Sequence, residues 1–258
     1  MYRWISCNRL VNEVTKEDKI FGGRYLIDPY QKCDISCLYC DAAEDTIYIK
    51  YNAPDLLRKE IKSLKKATVI IGSSVDAYQM IEKESKITRE ILSILLEEGF
   101  PVHILTKSNL VERDIDLLKG RDARVTFSFS TLDSNFSKLL EPNAPLPSQR
   151  LEALKRLSKE GIRTGIAIFP IIPFLTEMDI EDMIKLSKEA GASHLIYEYL
   201  ELKGDVKERF LHIMGKYSPE IANKLGELYS ESYKPKGYNI DDRIKAFCKA
   251  YGMRIGYE

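Results

Sequence analysis

Neither sign of charge is in excess in this chain: 39 lysines and arginines offset 39 aspartates and glutamates. Dedicated nucleic-acid binders carry a basic surplus, so the balance argues against that class while leaving room for a local basic patch. Long apolar runs are missing too. The longest, residues 165–175, is broken by Pro170 and Pro173, and residues 1–10 hold no apolar core, so neither a membrane span nor a signal peptide is predicted. A cytoplasmic location is therefore expected, where disulfides are disfavoured and clustered cysteines bind metal or do chemistry. The sequence contains no Walker loop, GxGxxG turn, HExxH helix or nucleophile elbow, and no low-complexity tract or short repeat. With 44% hydrophobic and 30% charged residues it lies outside the disordered regime and reads as a globular protein.

What is present is a regular alternation. Short β-rich apolar runs at residues 24–29, 68–71, 102–106, 124–131, 164–169 and 194–199 read as strands. Between them, residues 55–65, 88–98, 112–119, 147–159 and 179–189 carry apolar side chains at helical spacing. Helices run into glycine before the next strand, as in "EEGFPVHIL" and "SKEGIRTGIAI", the stop signal expected where a βα unit resumes. Such repetition implies parallel strands joined by crossovers, so the predicted fold is α/β, a partial (β/α)6 TIM-like barrel. From residue 204 the alternation lapses into helical pieces, a loop at "YKPKGYN", a helix over 241–251 and a last strand over 253–256. The expected organisation is an N-terminal extension (1–23), a barrel (24–203) and a C-terminal helical cap packed on it (204–258).

Parallel sheets place function at the carboxyl ends of their strands. Those ends fall at residues 33–40, 72–79, 106–109, 128–133, 170–176 and 197–201. The first contains "KCDISCLYC", with three of the chain's five cysteines, Cys33, Cys37 and Cys40. Three thiols cannot all pair with one another, which disfavours a disulfide framework. A closed structural zinc site needs a fourth ligand, and Cys7, Cys248, His103, His194 and His212 are scattered singly; zinc with an open catalytic position stays in play. A cubane four-iron, four-sulfur (4Fe-4S) cluster suits the set better, because a missing fourth thiolate leaves one iron open for another ligand.

CxxxCxxC with an aromatic before the last cysteine, at the end of the first strand of a βα repeat, resembles the signature of radical S-adenosylmethionine (SAM) enzymes. Here it is Cys33, Cys37, Tyr39 and Cys40. In order, "GSSVDAYQMIEKESKITREIL", "VHILTKS", "VTFSFST", "EPNAPLPSQRLEALKRLSKEGI" and "PIIPFLTE" are similar to the spore photoproduct lyase-like branch, over about residues 25–200. The resemblance implies a barrel of the radical SAM type in which Cys33, Cys37 and Cys40 hold a 4Fe-4S cluster. Its fourth iron takes the amino and carboxylate groups of SAM. An electron from a low-potential flavodoxin- or ferredoxin-like donor then cleaves the sulfonium, giving methionine and a 5′-deoxyadenosyl radical that abstracts hydrogen from a substrate.

Carried over by the same resemblance, Tyr39 packs near the adenine, and Gly72, Ser73 and Ser74 stand where the superfamily has its Gly-rich segment for the SAM amino group. "GSS" lacks the usual glutamate, so a hydroxyl, a backbone carbonyl or Asp76 must substitute. Lys107, Ser128 and Ser130, at strand ends, supply a cation and hydroxyls for the SAM carboxylate and ribose. One departure concerns substrate. The lyase proper uses a cysteine beyond its second strand as hydrogen donor, and residues 72–78 contain none, which argues against thymine-dimer repair.

The remaining polar residues have plainer readings. His103 and His194 lie in strands and are expected to be packed, Cys248 to be core, and Tyr229, Tyr233 and Tyr238 to pack in the cap. Tyr78, Tyr197 and Glu198, with polar neighbours at strand ends, are the substrate-facing candidates. Neutral overall charge favours a small metabolite or peptide as substrate over nucleic acid, the alternative being a nucleic-acid lesion lyase or nucleotide-modifying enzyme. A non-catalytic iron-sulfur electron carrier or sensor is the alternative from another class.

Overall fold

The computed structural model describes residues 1–14 and 20–256. Residues 15–19 of the expected extension and 257–258 of the expected cap lie outside the described residues. The chain begins with β1 (Tyr2–Ile5), β2 (Asn12–Glu13), β3 (Tyr25–Ile27), β4 (Tyr30–Gln31) and β5 (Ile47–Lys50). Helix α1 (Ala53–Glu60) precedes β6 (Val69–Ile71), and α2 (Glu82–Ser85) and α3 (Ile87–Glu97) precede β7 (Val102–Thr106). Then come α4 (Ile115–Leu118), β8 (Ala123–Phe129), α5 (Ser134–Leu140), α6 (Pro147–Lys159), β9 (Arg163–Ile171), α7 (Thr176–Glu189) and β10 (His194–Tyr199). The chain closes with α8 (Asp205–Tyr217), α9 (Pro219–Leu228), α10 (Asp241–Tyr251) and β11 (Arg254–Ile255).

Six parallel strands in the order β3, β6, β7, β8, β9, β10 form the barrel wall, with β2 added antiparallel at one edge and β11 parallel at the other. These strands are covered on both faces, which is why β7 ("VHILT") is buried along its whole length and reads as a continuous apolar run, not an alternating one. The six predicted strands are all present. The predicted helix over 55–65 ends as an α-helix at Glu60 and tightens into a 3₁₀ turn, Ile61–Ser63; that over 112–119 is split between a 3₁₀ segment, Asn109–Asp114, opened by the Ser108 side chain capping Leu110 N, and the short helix α4.

A second sheet, in the order β1, β5, β4, went unread in the sequence. Its strands are two to four residues long, too short to show a period. Both ends of the chain join sheets: β1 runs parallel to β5, and β11 extends β10. A separate apolar cluster, including Phe136, Leu140, Leu200, Phe210 and Met214, ties α5 and α8 to the strand ends. No helix among the described residues is long and apolar enough to cross a membrane.

Candidate active site

The cysteine loop is the connection between β4 and β5, and the antiparallel pairing of Tyr30 with Ile49 and Gln31 with Tyr48 ties its two ends together. Lys32 and Ser36 adopt left-handed backbone conformations, φ 65° and 57°, unusual for residues with a side chain. Within the loop Cys33 N donates to Ala42 O (2.8 Å), and Cys40 N to Cys37 O (3.1 Å). All three cysteines line one cavity of about 340 Å³.

Three clasps hold this loop from outside. The Asp34 carboxylate accepts Tyr2 Oη, Met80 N and Ile81 N at 3.0–3.3 Å. Residues 140–143 supply the second: Leu38 N donates to Leu140 O (2.8 Å), Asn143 N to Ile35 O (3.4 Å) and Asn143 Nδ2 to Asp34 O (2.7 Å). From α8, Arg209 Nη2 donates to Leu38 O (3.2 Å) and Cys40 O (2.9 Å).

The other cavity walls come from the carboxyl ends of the barrel strands, as the parallel topology requires. After β6 stand Gly72, Ser73, Ser74, Val75 and Asp76. Gly72 has φ +87°, and a Cβ there would lie 2.6 Å from Leu105 O, so only glycine lets this turn lie against β7. Asp76 fastens the two strand ends: Oδ1 accepts Tyr78 N (2.8 Å) and Thr106 Oγ1 (2.7 Å), and Oδ2 accepts Lys107 N (2.7 Å). Burial raises its pKa despite these donors.

Lys107 and Ser128 line the cavity beside the cysteines, with Lys107 Nζ donating to Ser128 Oγ at 3.0 Å and lying 5.9 Å from the centre of the Tyr39 ring. Beneath them the buried Glu141 pairs with the buried Arg150, accepts the Tyr39 and Ser130 hydroxyls, and lies 4.0 Å from Lys107 Nζ. Burial would raise the Glu141 carboxyl, but Arg150 and Lys107 prevail and hold it below its ordinary value. Burial likewise opposes the Lys107 charge, yet Cys37 and Glu141 outweigh it and raise the ammonium pKa. Glu141 and Arg150 went unassigned in the sequence; the signal was a glutamate in "EPNAP" with an arginine nine residues on.

Of the predicted site residues, Cys33, Cys37, Tyr39, Cys40, Gly72, Ser73, Ser74, Asp76, Lys107, Ser128 and Glu198 meet at this cavity. Ser130 sits behind the wall on Glu141. Two substrate-facing candidates need correction. Tyr78 is buried away from the cavity with its hydroxyl on Asp114 Oδ2 (2.9 Å), because Asp114 and Arg113 offer the phenol a charged partner inside the core. Tyr197 packs against the main core and Tyr199, since β10 shifts register only after it; Glu198, Tyr199, Leu200 and Glu201 beyond the shift line the cavity. The phenol ends of Tyr229 and Tyr238 are engaged by Leu200 O and Glu177, while Tyr233 is half-exposed.

The family model of the radical SAM superfamily matches residues 27–187. The chain belongs to the radical SAM superfamily. A protein of Methanocaldococcus jannaschii is 34% identical over 248 residues, 89% of this chain and 92% of its own length, and carries only the description "Uncharacterized protein". A Pseudomonas phage M6 protein described as a radical SAM Nalpha-GlyT isomerase is 23% identical over 225 residues, 82% of this chain and 47% of that one. In fold, the chain is similar to a spore photoproduct lyase variant with bound AdoMet and dinucleoside spore photoproduct: TM-score 0.68, 13% identity, covering 98% of this chain and 81% of that one. This radical SAM protein is an enzyme of that superfamily, and the family implies a 4Fe-4S cluster and SAM.

The residues present fit both groups. Burial pushes the Cys33 thiol up to about 12, with Asp76 adding to the shift, and raises Cys37 as well, so thiolates there need a cationic centre to stabilise them. Among the described residues no group of three or more His, Cys, Asp or Glu side chains is arranged around a single metal ion. A cubane differs in that its thiolates bind separate irons. For SAM, the wall beside the thiols offers an aromatic face, hydroxyls, a close-approach glycine and one ammonium group.

Proposed function

We propose that this radical SAM enzyme binds its cluster through Cys33, Cys37 and Cys40, binds SAM along the adjoining wall, and abstracts hydrogen from a small polar metabolite or peptide at the cavity mouth. The observation that supports it is the lining of one cavity by all three cysteines together with Lys107, Ser128 and the Gly72 turn. When bound, the cluster held by Cys33, Cys37 and Cys40 would supply the electron for reductive cleavage of SAM, and with it the family's radical chemistry.

In this reading the chain's own groups bind and orient. Lys107 takes the SAM carboxylate by a charge-assisted hydrogen bond, and Ser128 fixes the direction of its ammonium group. Tyr39 presents its ring to the adenine, and the backbone of residues 72–74 takes the amino group. Asp76, its oxygens already accepting three protein donors, keeps that turn at a fixed distance from Lys107. Arg209 ties α8 to the cysteine loop, which supports the reading of the segment from residue 204 as a cap packed on the barrel. A low-potential flavodoxin- or ferredoxin-like protein donates the electron, in a cytoplasm that keeps the five thiols reduced.

For the substrate, the cavity is lined by the acidic residues Asp41, Glu198 and Glu201 as well as by Lys107 and Lys203. Such a wall suits a zwitterion or a peptide better than a polyanion. One observation favours a second reading, a nucleic-acid substrate: the half-exposed Tyr233 ring lies 4.8 Å from Nζ of the cavity-lining Lys203 and 5.8 Å from Lys234 Nζ, an arrangement on which a base can stack beside a phosphate. Steeply salt-dependent retention on DNA would select it.

The test is 5′-deoxyadenosine formation by the anaerobically reconstituted protein with a strong reductant and SAM. Product from the wild-type chain and none from Cys37→Ala is expected; equal product from both overturns the assignment.

A further inference from the structure

We propose that Glu141 is a positioning residue that couples the cysteine loop to the cation at the SAM wall; this rests on the reading of Lys107 given above. Its carboxylate stands where four parts of the molecule meet. Oε1 accepts the Tyr39 hydroxyl from the cysteine loop and Ser130 Oγ (3.0 Å) from the end of β8, and lies 4.0 Å from Lys107 Nζ after β7. Oε2 takes Arg150 of α6. Arg150 is itself fixed, its Nε on Pro145 O (2.8 Å) and its Nη1 on Ser128 O (2.9 Å), so the carboxylate has a rigid mount.

The same short segment grips the loop backbone through Leu140 and Asn143, so one stretch of chain both seats the cysteines and aims Lys107. Two buried cations share one carboxylate. The contact with Arg150 is much the shorter, which leaves the Lys107 ammonium steered by Glu141 and Ser128 but not neutralised, and able to meet an anionic group in the cavity. Without the carboxylate, Arg150 and Lys107 become two buried like charges with nothing between them, and Tyr39 loses its anchor.

Glu141→Gln keeps the shape and removes the charge. With the full chain reconstituted anaerobically, iron per chain, the SAM-free paramagnetic signal and the SAM Kd from equilibrium dialysis are measured for each variant. The expected result is wild-type iron content and SAM-free signal with a Kd raised about tenfold or more. Tyr39→Phe, which leaves the Glu141 pair with Arg150 in place, is expected to raise Kd by a smaller factor at unchanged Tm, and it carries the test if Glu141→Gln fails to fold. A merely structural role would lower Tm and iron content without changing Kd per loaded chain. Wild-type Kd in folded Glu141→Gln, or in Tyr39→Phe where Glu141→Gln does not fold, overturns the coupling. A wild-type chain that loads its cluster and binds no SAM overturns the underlying reading instead.

Discussion

The barrel buries polar side chains at both ends of the same strands, and the two sets differ in where their hydrogen bonds lead. Near the amino ends, His103 Nδ1 is 3.0 Å from Phe21 O and its Nε2 2.7 Å from Thr126 Oγ1. Thr126 Oγ1 is also 2.8 Å from His194 Nε2, and His194 Nδ1 lies 3.2 Å from Ser193 Oγ. All four ring nitrogens have protein partners. Burial pushes His194 down to about 3 and His103 well below the usual imidazole range, so both are neutral. Gly165 makes the space: a Cβ there would lie 2.2 Å from the His194 ring. At the carboxyl ends the buried groups are charged, and Lys107, Ser128 and the cysteines face a cavity. Phe21 and Phe169, edge to face at 5.7 Å, stand between the two sets. Polar burial by itself therefore marks neither end as the active site; donor capacity turned towards open volume does.

The contrast can be broken most directly at the cysteines. Cys37→Ala is expected to abolish cluster loading and deoxyadenosine formation, read by iron analysis and chromatography, while the histidine end holds the fold. Lys107→Met should weaken SAM binding by roughly tenfold to a hundredfold, the cost of a lost charged hydrogen bond, with little change in Tm. Thr126→Val should do the reverse. It leaves two buried imidazoles short of a partner and should cost about 2 kcal/mol or more in denaturant unfolding, with the SAM Kd unchanged.

A further effect lies in pH. A histidine held neutral has a folded pKa below its unfolded value, so the unfolded chain binds more protons between the two. Stability from His194 is complete above about 6.5 and falls as pH drops towards 3, by at most about 1.4 kcal/mol per pH unit. His194→Gln should be less stable than wild type at neutral pH and show a shallower loss on acidification. Parallel curves would place the imidazole's contribution elsewhere.

The barrel end was legible because its signals are local. Strands 102–106 and 194–199 match β7 and β10 residue for residue, buried runs followed by polar strand ends, and the cysteine spacing marks the first strand end on its own. What stayed hidden depends on partners distant in sequence. Tyr78 turned to Asp114, 36 residues away, and Glu141 reached Tyr39, 102 residues back, neither of which any periodicity encodes. The β1, β5, β4 sheet was hidden for a different reason: its strands are stabilised by one another and by the loop they bracket, not by a pattern of their own.

The central claim is that the cavity end of this barrel carries a cluster with an open iron beside a SAM-binding wall. Its most direct test is the electron paramagnetic resonance spectrum of the anaerobically reconstituted, reduced protein with and without SAM. A cubane signal that changes when SAM is added is the predicted result. A fully loaded cluster whose signal is indifferent to saturating SAM would contradict it.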